Sequence, residues 1–126
     1  YQGLAAATRR SYLRQNPQVI DSLMRGFVET VAFIHKPSNK EIVVKTLMKN
    51  LRLKHLQDAE TGYHSLQWLY SLDIMPTIPG IQNMARFLAL GNPKVKTVKM
   101  EDVVDEAPFQ RLEKSAFYRE LAQVKR

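Results

Sequence analysis

The sequence predicts a mainly α-helical chain, five or six helices long, behind a short extended lead-in. Three features predict it. Apolar residues recur at three- and four-residue spacings in successive stretches. Prolines and a Gly-Asn-Pro run punctuate the gaps between those stretches. Two helix starts carry capping chemistry: Asn16 before Pro17, and Ser38 three residues ahead of Glu41.

The clearest stretch is 17–36. Ile20, Met24, Phe27, Val31 and Ile34 form one stripe, widened by Leu23, Val28 and Phe33. Gln18, Asp21, Ser22, Arg25, Glu29 and Thr30 take most of the other side, and Pro37 stops the helix. This is the expected central helix.

Ahead of it, residues 1–8 (YQGLAAAT) are small and uncharged and read as an extended segment, with a helix capped near Thr8. A lone strand is not stable in water, so a strand here would pair outside the chain or with a second copy. Residues 9–15 give about two turns of helix anchored by Tyr12 and Leu13.

Beyond Pro37, the capping box Ser38–Glu41 opens a helix over 38–52 with a buried stripe of Val43, Val44, Leu47, Met48 and Leu51. Residues 54–72 form a third long helix along Leu56, Ala59, Tyr63, Leu66 and Tyr70, joined by Leu69 and Leu72. Gly62 within it costs about 1 kcal/mol relative to Ala and leaves room for a neighbouring helix. Pro76 and Pro79 keep 73–79 irregular. A fourth helix covers 80–90 through Ile81, Met84, Ala85 and Leu88. Gly91-Asn92-Pro93 ends it, with Gly91 expected in the left-handed cap. Residues 94–100 connect and 101–104 allow one turn. Asp105 caps a last helix with Pro108 in its first turn and Phe109, Leu112 and Phe117 facing inward.

The chain has 126 residues and is expected to be a single helical domain, with 1–8 as lead-in and 9–126 helical. At 44% apolar and 25% charged it can build a core. No apolar run reaches the roughly 18–20 residues of a membrane span. Without cysteine, disulfides, thiolate catalysis and Cys-ligated zinc are excluded. The chain opens at Tyr1 with neither Met nor signal peptide, and it reads as a mature or excised piece of something longer.

The +7 net charge is lopsided. Residues 1–54 hold ten Lys and Arg against three carboxylates; residues 55–126 hold nine of each. Lys40, Lys45, Lys49, Arg52 and Lys54 form the best basic patch. It could meet nucleic acid, an anionic membrane face or an acidic protein. Tyr12, Trp68 and Tyr70 do not interleave with it, so a solvated helix face is the preferred reading.

Catalytic constellations are missing from the sequence. His35, His55 and His64 form no HExxH, and His55 with Asp58 makes only half a metal site. Glu101, Asp102, Asp105 and Glu106 read as helix-capping carboxylates. There is no GxxxxGK[ST], GxGxxG or GxSxG. The expectation is a non-enzyme without a cofactor or metal.

Motif order adds a resemblance. Thr8-Arg9-Arg10-Ser11-Tyr12-Leu13 leads into Asn16-Pro17 and a long helix with Phe27 and Ala32. Leu47-Met48-Lys49 follows, then the aromatic helix around Tyr63, and Pro79-x-Ile81 opens the next helix. Asn92-Pro93-Lys94-x-Lys96, Val104-Asp105, Phe109-x-x-Leu112 and Phe117 close the succession. Over essentially its whole length the chain resembles the C-terminal third of substrate-binding proteins of ABC importers, in the group that binds nitrate, sulfonates, taurine and thiamine precursors. Order and spacing carry the resemblance, with Thr8, Arg9, Tyr12, Asn16 and Pro17 the clearest matches.

The resemblance implies the C-terminal helical part of a type II periplasmic binding protein: two α/β lobes, a cleft for solute, and these helices packed on the first lobe and hinge. The first-lobe sheet and second lobe would lie outside this sequence. Only the lead-in would approach the cleft, which makes Tyr1, Gln2 and Thr8 the implied ligand-binding residues. The implied solute is small and anionic, sulfonate- or nitrate-like, or pyrimidine-like. The implied partner is an ABC permease, the implied location periplasmic, and no nucleic acid is expected. Alone, such a piece would self-associate through its uncovered apolar faces. The alternative, from the charge, is a free-standing basic helical module that binds nucleic acid or an acidic partner through residues 40–54.

Overall fold

Apolar residues three and four apart can meet only if the backbone coils at 3.6 residues per turn. The computed structural model, which describes residues 5–123, follows that rule nearly throughout. It is mainly helical, with no strand among the described residues. Among the described residues seven α-helices run in order, against the five or six expected: α1 (Arg10–Gln15), α2 (Pro17–His35), α3 (Lys40–Leu51), α4 (Leu56–Leu69), α5 (Ile78–Leu88), α6 (Ala107–Glu113) and α7 (Ala116–Gln123). Short 3-10 turns occupy Pro37–Asn39, Pro93–Thr97 and Met100–Asp102.

Helix α2 is the organising rod, in contact with α1, α4, α6 and α7. Pro17 sits at its first turn. Asn16 does not cap it through its side chain. Its Nδ2 instead donates back to the Tyr12 carbonyl at 3.1 Å, and its own carbonyl accepts from Val19 and Ile20. The residue therefore finishes α1 and starts α2 with backbone and side chain respectively reversed from the expected roles.

The expected capping box at Ser38 also does not form. Ser38 lies inside the Pro37–Asn39 turn, and α3 begins two residues later with no side-chain cap. Pro37 fixes φ in the helical range, which favours continuing as a tight turn over the extended N-cap geometry the box needs. Asn39 Nδ2 donates to the Phe33 carbonyl at 3.0 Å, satisfying an orphan group at the end of α2.

Helices α3 and α4 form a hairpin around Val43, Val44, Ala59 and Tyr63, with Ile34, Leu47, Met48, Leu53 and Leu66 packed on that cluster. A Cβ at Gly62 would meet Leu47 Cδ1 at 3.5 Å, an ordinary contact. The helices do approach closely there, but the approach does not require glycine. Helix α3 ends at Arg52, whose φ of 53° is the left-handed conformation usually left to Gly. The Arg52 and Leu53 amides both return to the Met48 carbonyl. Helix α4 is shorter than the spacing predicts, at Leu56–Leu69. Leu72 lies beyond its end and is buried elsewhere.

That second core gathers Val28, Val31, Leu72, Phe109 and Leu112, with Met24, Tyr70, Ile74, Met75, Phe117 and Tyr118 around it. The expected single last helix is two. Ser115 makes the break: its Oγ donates to the Leu112 carbonyl at 2.6 Å and accepts from the Tyr118 amide at 3.2 Å. The bend turns Phe109 and Tyr118 edge-on, 5.7 Å between centroids. Asp105 does not cap the helix as expected: Glu106 holds the N-cap without a side-chain bond, and Asp105 Oδ1 accepts from the Ala107 amide at 3.0 Å from one residue further out. Arg111 meets Asp21 of α2 at 2.7 Å, half exposed, and is worth roughly 0.2–1 kcal/mol. His35 Nε2 and the Tyr70 carbonyl, 2.7 Å apart, tie the ends of α2 and α4 together.

Helix α5 contains no buried residue. It starts at Ile78, two residues before the expected Gly80, and rests on the two 3-10 turns that follow it, where Met100 is buried. Gly91 is not left-handed: no glycine among the described residues has positive φ. The helix ends at Leu88 in a turn whose Gly91 and Asn92 amides both return to the Leu88 carbonyl, and Asn92 Oδ1 accepts from the Lys94 amide at 3.2 Å to start the next turn.

Candidate functional site

Of the residues implied to approach a solute, Tyr1 and Gln2 lie outside the described residues. Thr8 is exposed in the non-helical segment ahead of α1. It does not cap that helix; Arg9 occupies the N-cap, without a side-chain hydrogen bond.

The basic patch divides in two. At the start of α3, Lys40 reaches Glu60 at 3.2 Å and lies 6.0 Å above the Tyr63 ring. Lys45 meets Glu41 one turn back at 2.5 Å. The hydrogen bond from Lys45, and then its charge, hold the Glu41 carboxyl below its ordinary range. These two lysines are thus internally compensated. At the other end, Lys49, Arg52 and Lys54 make no ion pair among the described residues. They crowd the turn between α3 and α4. Leu51 and Leu56, placed in buried stripes by helical spacing, stand there 62% and 56% exposed. Spacing assigns both to an inward face. The helix ends at Leu51 and restarts at Leu56, so Leu51 has no following helical turn and Leu56 no preceding one to cover it.

The other candidates are structural in what they touch. His64 packs edge-on against Tyr63, 5.5 Å between centroids. Arg10 donates to the Asp102 carbonyl, and Glu106 accepts from Gln110 at 3.4 Å. No group of three or more His, Asp or Glu among the described residues could hold a metal ion. A solvent-open groove of about 500 Å³ lies between α5 and residues 95–101, with Arg86, Lys96, Lys99 and Glu101 on its rim. No helix among the described residues is long and apolar enough to cross a membrane.

Apolar surface is the dominant feature. On α2, Val19, Leu23, Phe27 and Phe33 stay 42–51% exposed beside the buried Ile20, Val28 and Val31; Phe27, expected within the buried stripe, lies at its edge. A Cβ at Gly26, on the same side, would meet nothing within 4 Å. Trp68 is 85% and Leu90 84% exposed, and Phe87 and Leu88 add to them. Comparison of the chain with protein-family models, curated proteins and solved structures finds no match.

Proposed function

We propose that this chain is the C-terminal helical portion of a solute-binding protein of an ABC importer. It is non-catalytic and acts in the periplasm or otherwise outside the cytoplasmic membrane. The whole protein takes a small anionic, sulfonate- or nitrate-like, or pyrimidine-like solute and delivers it to an ABC permease. The helices serve as cladding for the first lobe and the hinge.

Motif order motivates the reading, and one observation carries it: α2 widens its apolar face past the buried stripe with Val19, Leu23, Phe27 and Phe33, each left 42–51% exposed. Monomers rarely leave contiguous apolar patches larger than a few hundred Å² exposed. A helix whose apolar face is wider than the cover it receives among the described residues fits against a further layer. The basic-module alternative is not favoured, since Lys40 and Lys45 are compensated by Glu60 and Glu41.

The test compares the complete reading frame with residues 1–126 alone. Thermal unfolding of the complete protein should shift upward with one of the small anions, sulfonates or pyrimidines, since a ligand present at about 100 times its Kd adds roughly 2.7 kcal/mol. Residues 1–126 alone should show no such shift and should self-associate in sedimentation velocity. A reading frame with no α/β region ahead of Tyr1, or a monomeric 126-residue chain that binds such a solute, would overturn the proposal.

A further inference from the structure

We infer that the turn between α3 and α4 is a docking tip for an anionic lipid surface. From Ile42 to Gln57 the chain holds Lys45, Lys49, Arg52 and Lys54 and not one Asp or Glu. With Lys45 neutralised by Glu41, three cations remain free at one end of the hairpin. The nearest carboxylate in sequence is Asp58, in the first turn of α4.

The backbone aims this group outward. Leu53 is packed on the hairpin core, so the turn is pinned at its middle residue. Arg52 and Lys54 on either side of it are exposed, as are Leu51 and Leu56 beyond them. The left-handed Arg52 makes the reversal possible within four residues. The result alternates cation and leucine around a protruding bend.

The leucines choose the partner. Phosphodiesters of a nucleic acid would be met by cations with stacking aromatics, and residues 49–57 contain no aromatic side chain apart from His55. Lipid headgroups at the same charge density lie above hydrocarbon, where exposed Leu51 and Leu56 find an apolar medium. The charge supplies attraction and the leucines supply depth. This inference stands apart from the transporter reading and does not need it.

The experiment is co-sedimentation of the whole protein with vesicles, either pure phosphatidylcholine or phosphatidylcholine with one-third phosphatidylglycerol, in 50 mM salt. Binding is expected only to the anionic vesicles. Each cation near such a surface contributes about a five-fold factor in partitioning, so K49Q/R52Q/K54Q should reduce it roughly 100-fold. L51S/L56S should also weaken it and should remove the part that survives 300 mM salt. E41Q/K45Q, which removes the neutral pair on the same helix without changing the net charge, should change it less than two-fold, and circular dichroism of each variant controls for folding. Failure to bind anionic vesicles overturns the inference. So does equal retention on duplex DNA with L51S/L56S unaffected, which would mark a general polyanion surface.

Discussion

In the α3–α4 hairpin the residues that meet are close in sequence, Val43 and Tyr63 being only twenty positions apart. Where α6 and α7 close on α2, contact spans far more chain: Arg111 finds Asp21 across ninety residues. Both regions bury a small apolar cluster of similar quality. They differ in what must be ordered first. The hairpin closes a four-residue turn, whereas the second cluster must close a long loop before Phe109 touches Val28. Burial in the hairpin is local and robust, and burial at the clasp depends on everything between.

The hardest test of that contrast is Phe109→Ala. Phe109 is 2% exposed, and its truncation should cost about 3–5 kcal/mol. In hydrogen exchange, α6 and α7 should lose protection while α3 and α4 keep theirs; simultaneous loss in both would merge the two regions into one cooperative unit. Next is Ala59→Leu in the hairpin, where the native methyl is fully buried. Overpacking should cost about 1–3 kcal/mol in denaturant unfolding. A neutral result would mean that the α3–α4 seam is looser than its burial implies.

Arg52→Gly should act the other way. Relieving a left-handed L-residue should raise stability by roughly 0.5–1 kcal/mol after the greater freedom of the unfolded glycine is counted. A loss of stability would mean that the Arg52 side chain itself supports the turn. The smallest effect concerns the clasp. Burial, and then the charges of Asp73 and Glu113, push the Tyr118 phenol above its ordinary value of 10.0. Its folded state therefore holds the proton more tightly than its unfolded state. The associated stability is fully present below about pH 10 and declines as pH rises past the unfolded value. Tyr118→Phe should flatten that alkaline decline, measured as denaturant midpoint between pH 9 and 11.

Much of the helical architecture is written in local spacing. Pro17 and Pro37 bracket α2 because proline acts through its own ring, with no help from distant residues. Some misreadings are tertiary and others are local polar bonds. Leu72 continues the α4 period in sequence, yet it leaves the helix and joins the clasp, where Val28 and Phe109 offer it deeper burial. The break at Ser115 follows from a serine hydroxyl that bonds backward to Leu112 and forward to Tyr118, and apolar spacing cannot register it. The basic patch was visible as charge. Its division into a neutralised half and a free half rests on Glu60, twenty residues from Lys40, and on exposure of Leu51 and Leu56 that periodicity assigns to the interior.

Between Leu72 and Pro108 the one buried side chain among the described residues is Met100. A polar side chain there would leave α5 and its two supporting turns without an interior while both cores keep theirs. Met100→Gln should be recorded first as protease nicks between 73 and 107.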